Sequence, residues 1–155
     1  MIKNIVDKEY LNFVENLKTK VTQSRYQAAR SVNKELILLY HHIGTQILNV
    51  QNSQGWGAKI IDQLSKDLST SFPEMKGFSI RNLKYMRKFA QEYPEVEFVQ
   101  QAVAQLPWGH NVFLLDKVAD RQDRMFYIKN AIANGWSRNI MVMQIESNLL
   151  GLVYV

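Results

Sequence analysis

Apolar residues recur along this chain at helical spacing. From about Thr22 to Gln51, the positions Ala29, Val32, Leu36, Tyr40, Ile43 and Ile47 step by three or four, which draws one face of a helix. Ile37, Leu39, Gly44 and Leu48 widen that face, so this helix is expected to be the central buried element. Gly44 lies inside the pattern, where glycine costs about 1 kcal/mol relative to alanine; close approach by another helix is the expected reason. A shorter helix is expected before it, capped by Asp7, with Tyr10, Leu11, Val14 and Leu17 on its inner side. After the turn Asn52–Gly57, a helix from about Ala58 to Ser71 carries Ile60, Ile61, Leu64 and Leu68, and Phe72-Pro73 stops it. Ser79 caps a fourth helix that reaches about Glu92 and ends at Tyr93-Pro94. Residues 95–105 read as a weak helix or a short hairpin. Leu106–His110 reads as a break, and three helices follow over 111–118, 120–134 and 137–150, with Gly135 closing the middle one.

The pattern defines an all-α, multi-helix domain. It contains a helix-turn-helix unit, open to a winged-helix-like variant, at about 58–93 and a second small helical lobe at about 107–150. Two stretches echo each other: Gly77-Phe78-Ser79-Ile80-Arg81-Asn82 and Gly135-Trp136-Ser137-Arg138-Asn139. Either a unit is duplicated or two ordinary caps look alike.

Composition narrows the chemistry. The 155 residues are 46% hydrophobic and 21% charged, near the globular average, so a disordered chain is excluded. No cysteine is present, which excludes disulfides, thiolate metal sites and a cysteine nucleophile and fits a reducing cytoplasm. The start MIKNIVDKEY has no signal-peptide core, and the longest apolar runs, 36–40 and 149–155, fall far short of the roughly 20 residues that span a bilayer. A cytoplasmic protein without a membrane partner is expected.

The net charge of +5 is unevenly placed. Residues 76–93 hold Lys76, Arg81, Lys84, Arg87 and Lys88 against Glu92 alone, a net of +4, whereas residues 94–120 are net acidic. In the fourth helix Ile80, Leu83, Met86, Phe89 and Ala90 can all turn inward, leaving Arg81, Lys84, Tyr85, Lys88 and Gln91 together on the outer side. A capped helix of this kind, preceded by a helix and a loop, can hold phosphates and read base edges; the plainer alternative is a solvated amphipathic helix. The candidate nucleic-acid contacts are Lys76, Ser79, Arg81, Lys84, Tyr85, Arg87, Lys88 and Gln91, with Arg138 and Asn139 as weaker candidates. A salt-sensitive interaction with DNA is expected. Self-association through the broad apolar face of 29–48 and the methionines Met141 and Met143 is the competing expectation.

No catalytic constellation is legible. His41 and His42 are adjacent on a helix and point about 100° apart, with no ligand partner one turn on. His110 is expected to cap a helix starting at Asn111 or to touch a ligand. Asp62, Asp67, Asp116, Asp120 and Asp123 are scattered, and no phosphate loop or zinc spacing occurs, so no cofactor or metal is expected. Trp56, Trp108 and Trp136 each neighbour a glycine at a helix junction and read as structural anchors.

Several strings in fixed order carry a family resemblance: VNKELILLYHHIGTQI, GWG, SKDLSTSFPEMKGFSIRNLKYMRKFAQEYP, LPWGHNVFLLDKV and NGWSRN. Over roughly residues 20–148 the chain resembles the N-terminal domain of YhcG-like bacterial proteins, which join a helical domain to a C-terminal PDDEXK-type nuclease domain. The resemblance implies a DNA-binding region of helix-turn-helix type, in agreement with the basic helix. The chain ends seven residues after Asn148, in Leu149–Val155, and shows no PDDEXK acids. It therefore reads as a truncated member or a fragment. The nuclease domain is expected to be absent or supplied in trans, and the chain not to be an enzyme by itself.

Overall fold

A computed structural model describes residues 8–55 and 57–153 of the chain. Asp7 and Trp56 lie outside the described residues. The described residues form eight α-helices: α1 (Lys8–Gln54), α2 (Lys59–Ser71), α3 (Ile80–Glu92), α4 (Val96–Gln101), α5 (Trp108–Lys117), α6 (Arg121–Asn134), α7 (Arg138–Glu146) and α8 (Leu149–Val153). A 3-10 turn at Val103–Gln105 separates α4 from α5. No strand occurs among the described residues, so 95–105 is helical and the winged variant is not what they build.

The chain divides into two units, Met1–Val32 and Asn33–Val155. In the first, the described side chains of Tyr10, Phe13 and Val32 are exposed. Two helices were expected over 8–51, but a single one forms. No proline interrupts residues 8–54 and the sole glycine there is Gly44, so nothing local stops the helix.

The second unit holds two apolar clusters. One gathers Tyr40, Ile47, Ile61, Phe78, Leu83 and Met86, and so joins α1, α2 and α3. The other gathers Ile37, Phe89, Tyr93, Val99, Val103, Leu114, Ile128 and Met141, and so extends from α1 and α3 through α7. Trp108 packs against both. Ala29 and Val32, assigned by spacing to the buried face of α1, are exposed; within the second unit Leu36 and Ile43 are half-buried while Tyr40 and Ile47 are buried.

Caps follow the local chemistry. The Ser79 hydroxyl accepts from the Asn82 N–H at 3.1 Å, the Asp120 carboxylate from the N–H groups of Gln122 and Asp123, and the Ser137 hydroxyl from the Ile140 N–H at 3.2 Å. Gly135 takes a left-handed φ of 61° and closes α6. The echo between 77–82 and 135–139 thus extends to the serine caps. It stops at the glycines, because Gly77 has no such φ and instead lies against the Tyr40 hydroxyl. The helix expected over 137–150 breaks in two where Asn148 adopts a φ of 57°, a conformation asparagine tolerates better than most residues.

Gly44 is where α3 comes close. A Cβ there would run into the Met86 carbonyl and sit 3.0 Å from the Ala90 Cβ. The obstacle is backbone, so α1 and α3 would have to move apart. Gly44→Ala is expected to destabilise the domain by about 1–3 kcal/mol in urea unfolding, although alanine is the better helix former. An unchanged or raised midpoint would show that this contact does not fix the spacing.

Candidate functional site

The turn between α2 and α3 is held by short polar contacts. The Ser65 hydroxyl of α2 donates to the Phe78 carbonyl at 2.6 Å, and the Phe78 ring is buried. Asn82 works in two directions. Its amide donates to the Gly77 carbonyl at 2.7 Å, and its carbonyl oxygen accepts from the Trp108 indole N–H at 2.8 Å. The Trp108 ring also meets Tyr40 and Phe89 edge-on, with centroids 4.9 and 5.2 Å apart. The start of α3 is therefore pinned to α1, α2 and α5 together.

Leu83, Met86, Phe89 and Ala90 are buried on the inner side of α3, while Ile80, expected with them, is 41% exposed. Ile80 is the first residue of the helix and lies at its rim. On the outer side the six candidates separate into two sets. Arg81, Lys84 and Gln91 are exposed, with no hydrogen bond or ion pair among the described residues; the Arg81 guanidinium lies over the Tyr85 ring at 5.5 Å. Tyr85, Arg87 and Lys88 are half-buried and engaged. Tyr85 donates to the Asp116 carboxylate at 2.7 Å, Arg87 to the Gln51 side chain at 3.3 Å, and the Lys88 ammonium to the Leu115 carbonyl at 3.1 Å. Lys88 thus meets an orphan carbonyl at the negative end of α5, where a cation is favoured. Part of the outer face is thus taken up by α5 and by Gln51 of α1, contacts that sequence spacing does not show.

These side chains line a shallow groove of about 720 Å³ that runs along α3 and ends at Glu92. A second groove, of about 570 Å³, opens beside the first turn of α3. It brings Lys76, Ser79 and Arg81 together with Arg138 of α7, and Tyr40 and Trp108 form part of its wall. Asn139 is exposed and lines neither groove. The two grooves share Arg81 and Tyr85. Chemically, this surface can hold anions.

The histidines are used within the fold. His41 is buried and its Nε2 donates to the Tyr93 carbonyl at 2.6 Å, whereas His42 is exposed. His110 does not cap a helix starting at Asn111. The helix begins earlier, at Trp108 with Pro107 as its N-cap, and His110 inside it donates to the Trp136 carbonyl at 2.9 Å. Among the described residues no group of three His, Asp or Glu side chains could hold a metal ion.

Arg124 was missed from sequence. It is 1% exposed and donates to Tyr93 at 2.9 Å, to the Val118 and Ala119 carbonyls at 2.8 and 2.9 Å, and to Glu92 at 3.0 Å. The guanidinium therefore neutralises the one acid of the 76–93 segment and closes the end of α3 against α6. The available signal was position: Arg124, Tyr127, Ile128 and Ala131 form the buried stripe of α6. Burial pushes the Tyr93 phenol above its ordinary pKa, with Arg124 pulling the other way, and burial alone pushes Tyr40 up. The Arg121 fork on Glu95, at 3.0 Å, holds that carboxyl below the usual carboxylate range.

The family model described as DUF1016 N-terminal domain matches residues 16–151, and the chain belongs to that family. It is similar to the Escherichia coli (strain K12) protein named "Putative nuclease YhcG", at 28% identity over 160 residues. The match covers 82% of this chain and 42% of that relative, so the chain spans less than half of the relative's length. No solved structure matches the chain.

Proposed function

We propose that this member of the DUF1016 N-terminal domain family is a DNA-binding module that targets a nuclease activity carried by another domain, either in the same polypeptide or supplied in trans, in a bacterial cytoplasm. The observation that carries the reading is the exposed cationic face of α3, with Arg81 and Lys84 free of acidic partners among the described residues beside Gln91. Similarity to a protein named as a nuclease makes a nucleic acid the natural polyanion. On this reading α2 and α3 act as a helix-turn-helix unit whose second helix faces the duplex. Eight residues, 72–79, connect the two helices, against three or four in the compact motif, so the unit is a loop-extended form. Arg81, Lys84 and Gln91 make the direct contacts, Lys76 and Ser79 hold backbone phosphate, and Tyr85, Arg87 and Lys88 fix the angle of α3, the last two adding positive charge. No catalytic step is assigned to these residues.

The double variant Arg81→Ala/Lys84→Ala is expected to weaken duplex binding roughly tenfold or more at low salt. It should also lower the slope of log affinity against log salt by about 2, one per lost phosphate contact. Both side chains are exposed, so the thermal midpoint should stay within a few degrees. Full affinity in the variant would remove α3 from the interface.

A second reading, self-association, is favoured by one observation. A groove of about 550 Å³ between α1 and α2 is walled by Leu39, Ile43, Ile60, Leu64, Phe72 and Met75 and is almost free of polar atoms. Its partner on this reading is a second copy of the chain, which presents the exposed rings of Tyr10 and Phe13. Light scattering should then show a dimer that Leu64→Glu abolishes; a monomer at all concentrations would discard it.

A further inference from the structure

The groove beside the first turn of α3 draws its charge from three separate places in the sequence. Lys76 comes from the loop before α3, Arg81 from its first turn and Arg138 from the start of α7. No carboxylate lines it, and none pairs with these three cations among the described residues. Three unpaired cations around one concave space repel one another, and an anion would relieve that repulsion.

A second observation, independent of the charge, comes from Tyr40. Its side chain is 5% exposed, lines this groove and makes no hydrogen bond among the described residues. With no protein partner among the described residues, the hydroxyl at the groove wall has its donor available to a group seated there. The hydroxyl lies directly against Gly77, at a point where any Cβ would strike it. Gly77 thus keeps the phenol's position open, and burial favours its protonated form, which can donate.

Arg138 lines the same space from the start of α7. Its Cδ lies 3.8 Å from where a Cβ on Gly109 would stand, so the aliphatic part of the side chain covers that glycine. The Ser79 hydroxyl accepts from Asn82 and keeps its own proton to donate.

We propose that this groove is a seat for one phosphate group, held by Lys76, Arg81 and Arg138 with the Tyr40 hydroxyl as a donor from below. A phosphate fits better than a carboxylate. It carries more charge, and its tetrahedral oxygens accept from several directions at once, as donors spread over α1, α3 and α7 require. The volume exceeds that of a bare phosphate and the wall includes the Trp108 and Tyr85 rings, so an attached sugar or base can be accommodated. The seat rests on the nucleic-acid reading only for the source of its phosphate, either an internal diester of a strand or a 5′-terminal monoester.

The test is amide and indole NMR of the full chain titrated with inorganic phosphate against chloride at constant ionic strength. Saturable shifts are expected at Gly77, Ser79, Gly109, Arg138 and the Trp108 indole. Arg138→Gln and Tyr40→Phe should each weaken the apparent affinity about fivefold or more, while Lys129→Gln on α6 should not change it. Shifts that do not saturate, or that persist unchanged in both groove variants, would overturn the seat.

Short oligonucleotides with and without a 5′-phosphate identify the source. A preference for the phosphorylated end that Arg138→Gln abolishes marks a monoester; equal binding, weakened equally by Arg138→Gln, marks a diester. Saturable phosphate binding without binding of any strand would leave the seat standing and defeat the nucleic-acid reading. Strand binding that depends on Arg81 and Lys84, without saturable phosphate shifts, would do the reverse.

Discussion

The position of α3 rests on the Trp108 side chain, which ties the start of the helix to the rest of the second unit. Its ring packs against both apolar clusters, and its N–H reaches Asn82, which in turn holds the Gly77 carbonyl before the helix. A hydrogen bond in this half-buried setting is worth about 1 kcal/mol, and burial of a large aromatic ring adds several times that. Gly44 sets the distance between α1 and α3 from the other side, through contact with the Met86 backbone. Between these two constraints, α3 has one position available, and its outer side chains point where that position puts them.

Charge on α3 therefore serves two purposes. Lys88 and Tyr85 turn toward the end of α5, where a carbonyl and a carboxylate receive them. Arg124 draws off Glu92, the single acid of the segment. What remains, Arg81 and Lys84 with Lys76 and Arg138 nearby, is cationic surface with no internal partner among the described residues. The uneven charge of the sequence thus becomes a smaller and better-defined surface in the fold.

The helical character was legible because helices are specified locally. The serine caps at 79 and 137, the aspartate at 120 and the left-handed glycine at 135 all act within four residues of themselves. The family strings were legible for a different reason, their order along the chain. Errors arose where a local signal was ambiguous or the decisive partner was distant. Trp108 and Gly109 look like a turn, yet Pro107 starts a helix there, and Asn148 breaks a helix without any proline. Arg124 carried no signal of its role because its four partners lie at the end of α3 and on the segment after α5. The second groove was hidden for the same reason: Tyr40, Lys76 and Arg138 are brought together only by the fold.

The central claim is that a nucleic acid lies across α3 and the groove at its start. Hydrogen exchange of the full chain, with and without a short DNA duplex, tests it most directly. The account predicts slowed exchange over residues 77–91 and at the starts of α5 and α7, with the apolar groove between α1 and α2 unchanged. Protection confined to α2 and the facing part of α1, or no protection at saturating DNA, would contradict it.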